Sequence, residues 1–330
     1  VLNVKKLKFV MKTSEYKYFN FPFYEFNKAQ SAVIPHITRD INLVVSFPTA
    51  TGKTAIAEAA FGYYLQTMQN SKCIYASPYR SLSMQKQSDW MEDLQLSRYG
   101  IVINTGDHLA DTSEFEAARL IILTTESFDS KTRNKQQYSW LKKVICVVID
   151  EAHLLGMKGR GDSVEAVLMR FTELNSAARI ILLSATMSNA EELSAWLKML
   201  NGKETLKVTS RWRPTRIRTQ FHTFDEYDKE SWANRIKMTV ELIQSIPDSE
   251  KVIVFVHSKR LGRELAALIR RAGVACAFHN ADLSHSKRKQ IEKAFDDPLS
   301  GLNVIVSTST LASGVNIGVL FLTFCAALLL

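Results

Sequence analysis

The chain of 330 residues has no long Pro- or Gly-rich run and no low-complexity tract, with only 13 glycines and 7 prolines, which excludes a fibrous or largely disordered protein. It has four cysteines, Cys73, Cys146, Cys276 and Cys325, with no C-x-x-C pair among them. Three of them sit inside apolar runs, as small buried hydrophobes do in a reducing compartment; neither a disulfide scaffold nor a metal cluster is expected. The opening stretch "VLNVKKLKFVMKTSEYK" carries early lysines without an apolar core, so no signal peptide or anchor is readable in it. It begins at Val1 rather than Met, a first hint that the limits of the chain are not natural limits. Long apolar runs are also missing. The most apolar stretch, the 13 residues from Gly318 to Leu330, falls short of the ~18 to 20 that a membrane-spanning helix needs.

What is present is a globular composition, 46% hydrophobic and 23% charged, on a length that favours two domains. The excess of 42 Lys and Arg over 33 Asp and Glu, a formal charge of +9, favours a polyanionic partner such as nucleic acid.

Short β-branched runs alternate with amphipathic stretches: "INLVVSF" and "KTAIAEAAFGYYLQTM", "KCIYAS" and "RSLSMQKQSDWMEDL", "VICVVID" and "DSVEAVLMRFTEL", "RIILLSA" and "NAEELSAWLKML". Continuous apolar strands separated by helices predict an α/β fold with a parallel sheet covered on both faces. The alternation pauses at "NGKETLKVTSRWRPTRIRTQFHTF", where Pro214 and six Lys or Arg between Lys203 and Arg218 interrupt it, and a domain boundary is expected near residue 210. It resumes with "KVIVFVHS", a helix from about Lys259 to Arg271, "VACAFH", the helix "SHSKRKQIEKAF" and the strand "NVIVSTS".

Three strand ends of the first half carry complementary chemistry. After the first comes "FPTATGKTAIAEAA", in which Gly52, Lys53 and Thr54 open a helix. There, backbone N–H groups and the helix N-terminus can face a phosphate, Lys53 can reach the β and γ phosphates, and Thr54 can ligate Mg²⁺. The full phosphate-loop pattern departs at its first glycine, where Phe47 stands, and an accidental helix start is the other reading. "VICVVIDEAHLL" delivers Asp150 and Glu151, one carboxylate for a metal and one for an attacking water, or else a solvated helix cap. "LLSATMSN" places Ser184 and Thr186 beside the same edge.

These segments, with "ASPYRSL", "TGD" at 105 to 107, "LTTES" at 123 to 127, "VIVFVHSKR" and "STSTLASGVN", resemble the DEAD/DEAH-box helicases of the second helicase superfamily. The wording of "PTATGKTAIAEAA", "DEAHLLGMKGRGDSVE", "SATMSNAEELSAWL" and "RWRP" is most similar to archaeal DNA-fork helicases of the Ski type and their relatives among exosome and spliceosome RNA helicases.

The resemblance spans roughly residues 24 to 317 and implies two RecA-like domains, at 21–210 and 211–317, the second incomplete, after an N-terminal extension at 1–20. It implies ATP and Mg²⁺ as cofactors, and Gln30, Pro48, Thr49, Ala50, Thr51, Gly52, Lys53 and Thr54 as the residues that hold the nucleotide. Asp150 would hold the metal with Thr54, Glu151 the water, and His153 with Ser184, Ala185 and Thr186 would couple nucleotide state to the nucleic-acid groove. Pro78, Arg80, Thr105, Gly106, Thr124, Thr125 and Glu126, and in the second half His257, Ser258, Thr308 and Thr310, match motifs that track strand phosphates. Each of these, taken singly, also fits a turn or cap. The implied partner is single-stranded or forked nucleic acid, DNA favoured over RNA, as in repair or replication-fork remodelling, in the cytoplasm or, in a eukaryote, the nucleus.

Two departures accompany the resemblance. Asp282 in "HNADL" replaces the usual glycine beside the expected nucleic-acid track, and no arginine follows Arg288, so the motif whose arginines reach the γ-phosphate is missing. For residues 318–330 the expectation is a truncation or a reading-frame change just after Ile317. A single parallel strand at "VLFLTF" is the other reading, and the two are compatible. An ATP- and nucleic-acid-binding module without turnover follows as the expectation for the chain by itself.

Overall fold

In the computed structural model the described residues are 2–3, 10–106, 109–155, 161–185, 187, 189–214, 220–221, 229–308, 311 and 321–324. The chain divides into two compact units, Val1–Ile217 and Arg218–Leu330.

The first unit is built on strands β1 (Leu2–Asn3), β2 (Asn42–Ser46), β3 (Lys72–Ser77), β4 (Ile101–Asn104), β5 (Leu120–Thr124), β6 (Val144–Ile149), β7 (Arg179–Ser184) and β8 (Thr205–Thr209). All pair in parallel, in the order β1-β8-β2-β7-β6-β3-β5-β4. Its helices are α1 (Lys28–Ser31), α2 (Thr54–Thr67), α3 (Arg80–Glu92), α4 (Leu94–Ser97), α5 (Thr112–Ala117), α6 (Thr125–Arg133), α7 (Tyr138–Leu141), α8 (Gly161–Leu174) and α9 (Ala190–Asn201).

Side chains alternate between two buried layers, which explains the continuous apolar runs. Leu43, Val45, Cys73 and Tyr75 pack with Ile56, Ala60 and Phe61 of α2 on one face. On the other, Val44, Ile74 and Ala76 pack with Phe128 of α6 and Val167 and Phe171 of α8. Burial on both faces of a parallel sheet leaves only its carboxyl edge for ligands.

Strand β8 lies inside the stretch where the sequence pattern pauses. Its polar positions Thr205, Lys207 and Thr209 are only half-buried, so it lacks the unbroken apolar run by which its neighbours are recognised. The aromatic segment before α1 is also structured: Tyr16, Phe19 and Phe26 are buried, and the Tyr16 hydroxyl donates to the Ala59 carbonyl of α2 at 2.7 Å. A side chain at Gly62 would bring its Cβ to 2.3 Å from the Tyr18 carbonyl oxygen, so this glycine admits the crossing segment.

The second unit contains α10 (Lys229–Ser245), β9 (Val252–Phe255), α11 (Lys259–Arg271), β10 (Cys276–His279), α12 (His285–Asp296), β11 (Val304–Ser307) and β12 (Phe321–Phe324). The sheet is parallel throughout, in the order β10-β11-β9-β12. Val252, Val254, Val304 and Val306 face Ile236 and Ile243 of α10 and Leu265 and Ile269 of α11, while Ile253 and Ile305 face Phe295 of α12. The apolar end of the chain thus supplies a strand, Phe321–Phe324, paired in register with Val252–Phe255. Among the described residues no helix is long and apolar enough to cross a membrane.

Candidate functional site

Between β2 and α2 the backbone turns through two left-handed residues, Ala50 (φ 61°) and Gly52 (φ 70°). The turn is tied by Thr51 Oγ1 donating to the Pro48 carbonyl at 2.8 Å. Helix α2 then starts after Lys53 with no side-chain cap, which leaves the positive end of its dipole to an anion. Lys53 Nζ donates to the carbonyls of Phe47 and Pro48, each at 3.3 Å. Burial lowers the pKa of this ammonium, and the charges of Glu151 and Asp150 oppose the shift.

Asn27 and Gln30 brace the loop from outside. They form a reciprocal cap at the start of α1, and their amide nitrogens donate to the carbonyls of Thr51 and Gly52, both at 2.9 Å. Gln30 is therefore 5% exposed and occupied by the loop backbone, not a surface glutamine. A Cβ on residue 52 would lie 2.6 Å from Gln30 Nε2, so the brace and the glycine require each other.

Asp150 follows β6. Its Oδ2 accepts a 2.5 Å hydrogen bond from the Tyr75 hydroxyl of β3, and its Oδ1 accepts from the Glu151 N–H at 2.8 Å. Burial raises the Asp150 carboxyl above the usual range, and the Tyr75 hydroxyl and Lys53 pull it back. Glu151 takes the left-handed conformation (φ 52°), which a non-glycine residue adopts at a cost of about 1–2 kcal/mol. His153 Nδ1 stands 3.2 Å from Glu151 Oε2, off the line of a hydrogen bond, and holds Glu151 below the usual carboxylate range.

The end of β7 is joined to β2 through one buried hydroxyl. Ser46 Oγ donates to the Ala185 carbonyl at 3.2 Å and accepts the Met187 N–H at 3.0 Å, while Phe47 N–H donates to the Ser184 carbonyl at 3.1 Å. Ser184 Oγ is buried without a hydrogen-bond partner among the described residues, beside the phosphate loop. Thr186 lies outside the described residues.

A lysine, two carboxylates at successive residues, a loop with left-handed backbone and an uncapped helix start form a donor set that fits a nucleoside triphosphate with a divalent cation. Lys53 and Thr54 would take the phosphates, and Asp150 with Thr54 the cation.

The residues expected to track phosphates fall into two groups. Arg80 and Glu126 are exposed, Pro78 is half-buried, and exposed Gly106 lies against the Arg80 guanidinium, which a Cβ there would meet at 2.1 Å. Thr105, Thr124 and Thr125 are at most 3% exposed. Thr124 caps α6 by accepting the Ser127 N–H at 3.2 Å, and Thr125 Oγ1 donates to Glu126 Oε2 at 3.4 Å. The Thr124 and Thr125 hydroxyls serve local structure, while Thr105 Oγ1 is buried without a hydrogen-bond partner among the described residues. In the second unit His257 is exposed, Ser258 caps α11 by accepting the Leu261 N–H at 3.3 Å, and the Thr308 N–H donates to the His279 carbonyl at 3.3 Å. Thr310 lies outside the described residues.

Tyr75, Ser46 and Asn27 escape the sequence reading. Each had a visible signal, a polar group inside or just before an apolar run, but only pairing of non-adjacent segments gives it a partner.

The comparisons with known proteins bear on the same segments. The family model described as DEAD/DEAH box helicase matches residues 27–193, about half of the chain, and that described as Helicase conserved C-terminal domain matches residues 234–324. The chain belongs to the DEAD/DEAH box helicase family. Among curated relatives of the chain, ATP-dependent DNA helicase MER3 of Saccharomyces cerevisiae is 28% identical over 90% of the chain and 28% of the relative. ATP-dependent DNA helicase Hel308 of Thermoplasma acidophilum is 32% identical over 87% of the chain and 45% of the relative, and that of Pyrococcus horikoshii 30% over 86% and 43%. The chain thus spans less than half the length of these relatives. Two solved helicases share the fold: Mycobacterium smegmatis Lhr bound to ssDNA and AMP-PNP (TM-score 0.65, 23% identity, 90% of this chain and 41% of that one) and MrfA bound to DNA (0.72, 18%, 93% and 45%). Both units of this DEAD/DEAH box helicase are RecA-like α/β domains, and the C-terminal family match runs through β12.

Proposed function

We propose that this chain carries the motor core of an ATP-dependent DNA helicase or translocase, with residues 21–210 as the nucleotide-binding domain and the second domain starting at residue 211. The observation that carries the proposal is the convergence of Lys53, Asp150 and Glu151 at the carboxyl edge of one buried parallel sheet.

Bound Mg·ATP supplies the phosphoanhydride to be cleaved. Lys53 would exchange its two carbonyl acceptors for phosphate oxygens, Asp150 and Thr54 would hold the cation, and Gln30 fixes the loop that would receive the nucleotide. Glu151, kept ionised by His153, orients and deprotonates the attacking water. Ser46 ties the Ser184–Ala185 segment to the loop strand, giving a route by which nucleotide state reaches the edge where a strand binds. DNA is favoured over RNA because MER3 and Hel308 are both named as DNA helicases. The residues expected to touch phosphates suit either, and 2′-hydroxyl contacts would discriminate.

The test is ATP binding and phosphate release by the parent, Lys53→Ala and Asp150→Ala, with and without single-stranded DNA or RNA. Loss of nucleotide binding or turnover in both variants, with the fold intact, supports the assignment; near-parental behaviour of either refutes it.

A further inference from the structure

The second sheet is parallel, so the segments after β9, β10 and β11 emerge at one edge: His257–Ser258, Asn280–Asp282 and Thr308. Asp282 is held there by its own backbone, whose N–H donates to Asn280 Oδ1 at 2.9 Å, and Asn280 is buried. Its carboxylate faces the first turns of α11. Oδ1 is paired with Lys259 Nζ, and Oδ2 lies 3.4 Å from Arg263 Nη2. Lys259 and Arg263 are four residues apart on one helix face, immediately after the Ser258 cap.

Exposed ion pairs contribute little to folding, and all three side chains are about half exposed or more, so stability does not explain the arrangement. Its effect is on the local field. Two cations beside the expected phosphate track are reduced to a net charge of one, in a unit whose residues 218–330 carry only 14 Lys and Arg against 12 Asp and Glu. The paired cations also keep the carboxyl below the usual range, so the charge persists around neutral pH.

We propose that Asp282 is an affinity-setting residue that competes with nucleic-acid phosphates for Lys259 and Arg263 and so weakens the grip of the second domain on the strand. The proposal rests on this edge being a nucleic-acid surface, as the motif resemblance of His257, Ser258 and Thr308 implies and the proposed function takes it to be. A motor that must release the strand once per cycle gains from a built-in counter-ion that retakes the cations when a phosphate leaves.

The experiment measures binding of labelled mixed-sequence single-stranded DNA over a KCl series by the parent, Asp282→Asn and Asp248→Asn. The Asp248 variant makes the same change in net charge at an exposed position before β9, at the opposite edge of the sheet. Asp282→Asn is expected to bind about 3- to 10-fold more tightly at low salt, with a salt slope steeper by about 0.7, while Asp248→Asn changes little. In a Lys259→Gln, Arg263→Gln background the gain should disappear. Parental binding with no gain in Asp282→Asn, or an equal gain in Asp248→Asn, overturns this proposal alone. Failure of the parent to bind overturns the nucleic-acid reading and this proposal with it.

Discussion

Tyr75→Phe removes one oxygen from a ring that is fully buried in β3 and leaves the ring's edge-on contact with Trp90, 5.0 Å between centroids, unchanged. What it takes away is the 2.5 Å hydrogen bond to Asp150 Oδ2, so among the described residues the buried carboxylate keeps its bond from the Glu151 N–H alone. A hydrogen bond to a charged group contributes about 1.5–3 kcal/mol, and that is the loss of stability expected at neutral pH without nucleotide. The pH dependence has a definite sign. Burial raises the Asp150 carboxyl in the folded state, and the Tyr75 bond pulls it down, so the variant raises it further. A raised acid binds its proton more tightly folded than unfolded. Stability therefore falls as pH rises from the ordinary aspartate range through the folded pKa, and is flat above it. The variant widens that window. Its cost is largest above the window and shrinks as acid neutralises Asp150 in both proteins. Urea denaturation of both proteins at several pH values measures the difference. In an Asp150→Asn background the same substitution should cost only the ~0.5–1.5 kcal/mol of a neutral hydrogen bond. An equal cost with and without the Asp150 charge, or a cost independent of pH, would refute the reasoning.

Gly52→Ala places a Cβ 2.6 Å from Gln30 Nε2 at φ 70°, a strain of about 1–2 kcal/mol before the clash. Affinity for a fluorescent ATP analogue should drop at least about tenfold, since 1.4 kcal/mol is a decade. Gly106→Ala meets the far end of the long Arg80 side chain, so the unfolding free energy should change by no more than about 0.5 kcal/mol while single-strand binding weakens. Ser46→Ala breaks the link from β2 to Ala185 and Met187 and should cost about 1 kcal/mol in chemical denaturation, with a larger effect on any nucleotide-dependent change in strand affinity.

The alternation of apolar runs with amphipathic stretches was enough to place β2, β3, β6, β7, β9, β10 and β11, and helix α11 spans the expected residues, Lys259–Arg271. The reason is local: a strand buried on both faces needs an unbroken apolar run, and a helix needs its own periodicity, and both are written within a dozen residues. For the same reason the sequence alone assigns Asp150, Glu151 and Ser184 to strand ends and Lys53 to the start of the helix that follows β2. Strand β8 was hidden because its half-buried positions carry polar side chains, whereas β12 was legible as the lesser reading of an apolar tail taken first for foreign sequence, until its pairing with β9 gave it a place.

What only the tertiary structure decided are pairings between distant segments. Tyr75 on Asp150 spans 75 residues, Ser46 on Ala185 spans 139, and Gln30 on Gly52 joins an aromatic-rich approach segment to a loop. No local pattern encodes them, because each depends on which strands become neighbours in the order β2-β7-β6-β3. That order is settled by packing of whole faces rather than by any one residue. The burial of Thr105, Thr124 and Thr125 and the capture of Lys259 and Arg263 by Asp282 belong to the same class. A side chain's chemistry can be read from its letter, but its availability depends on neighbours brought to it by the fold.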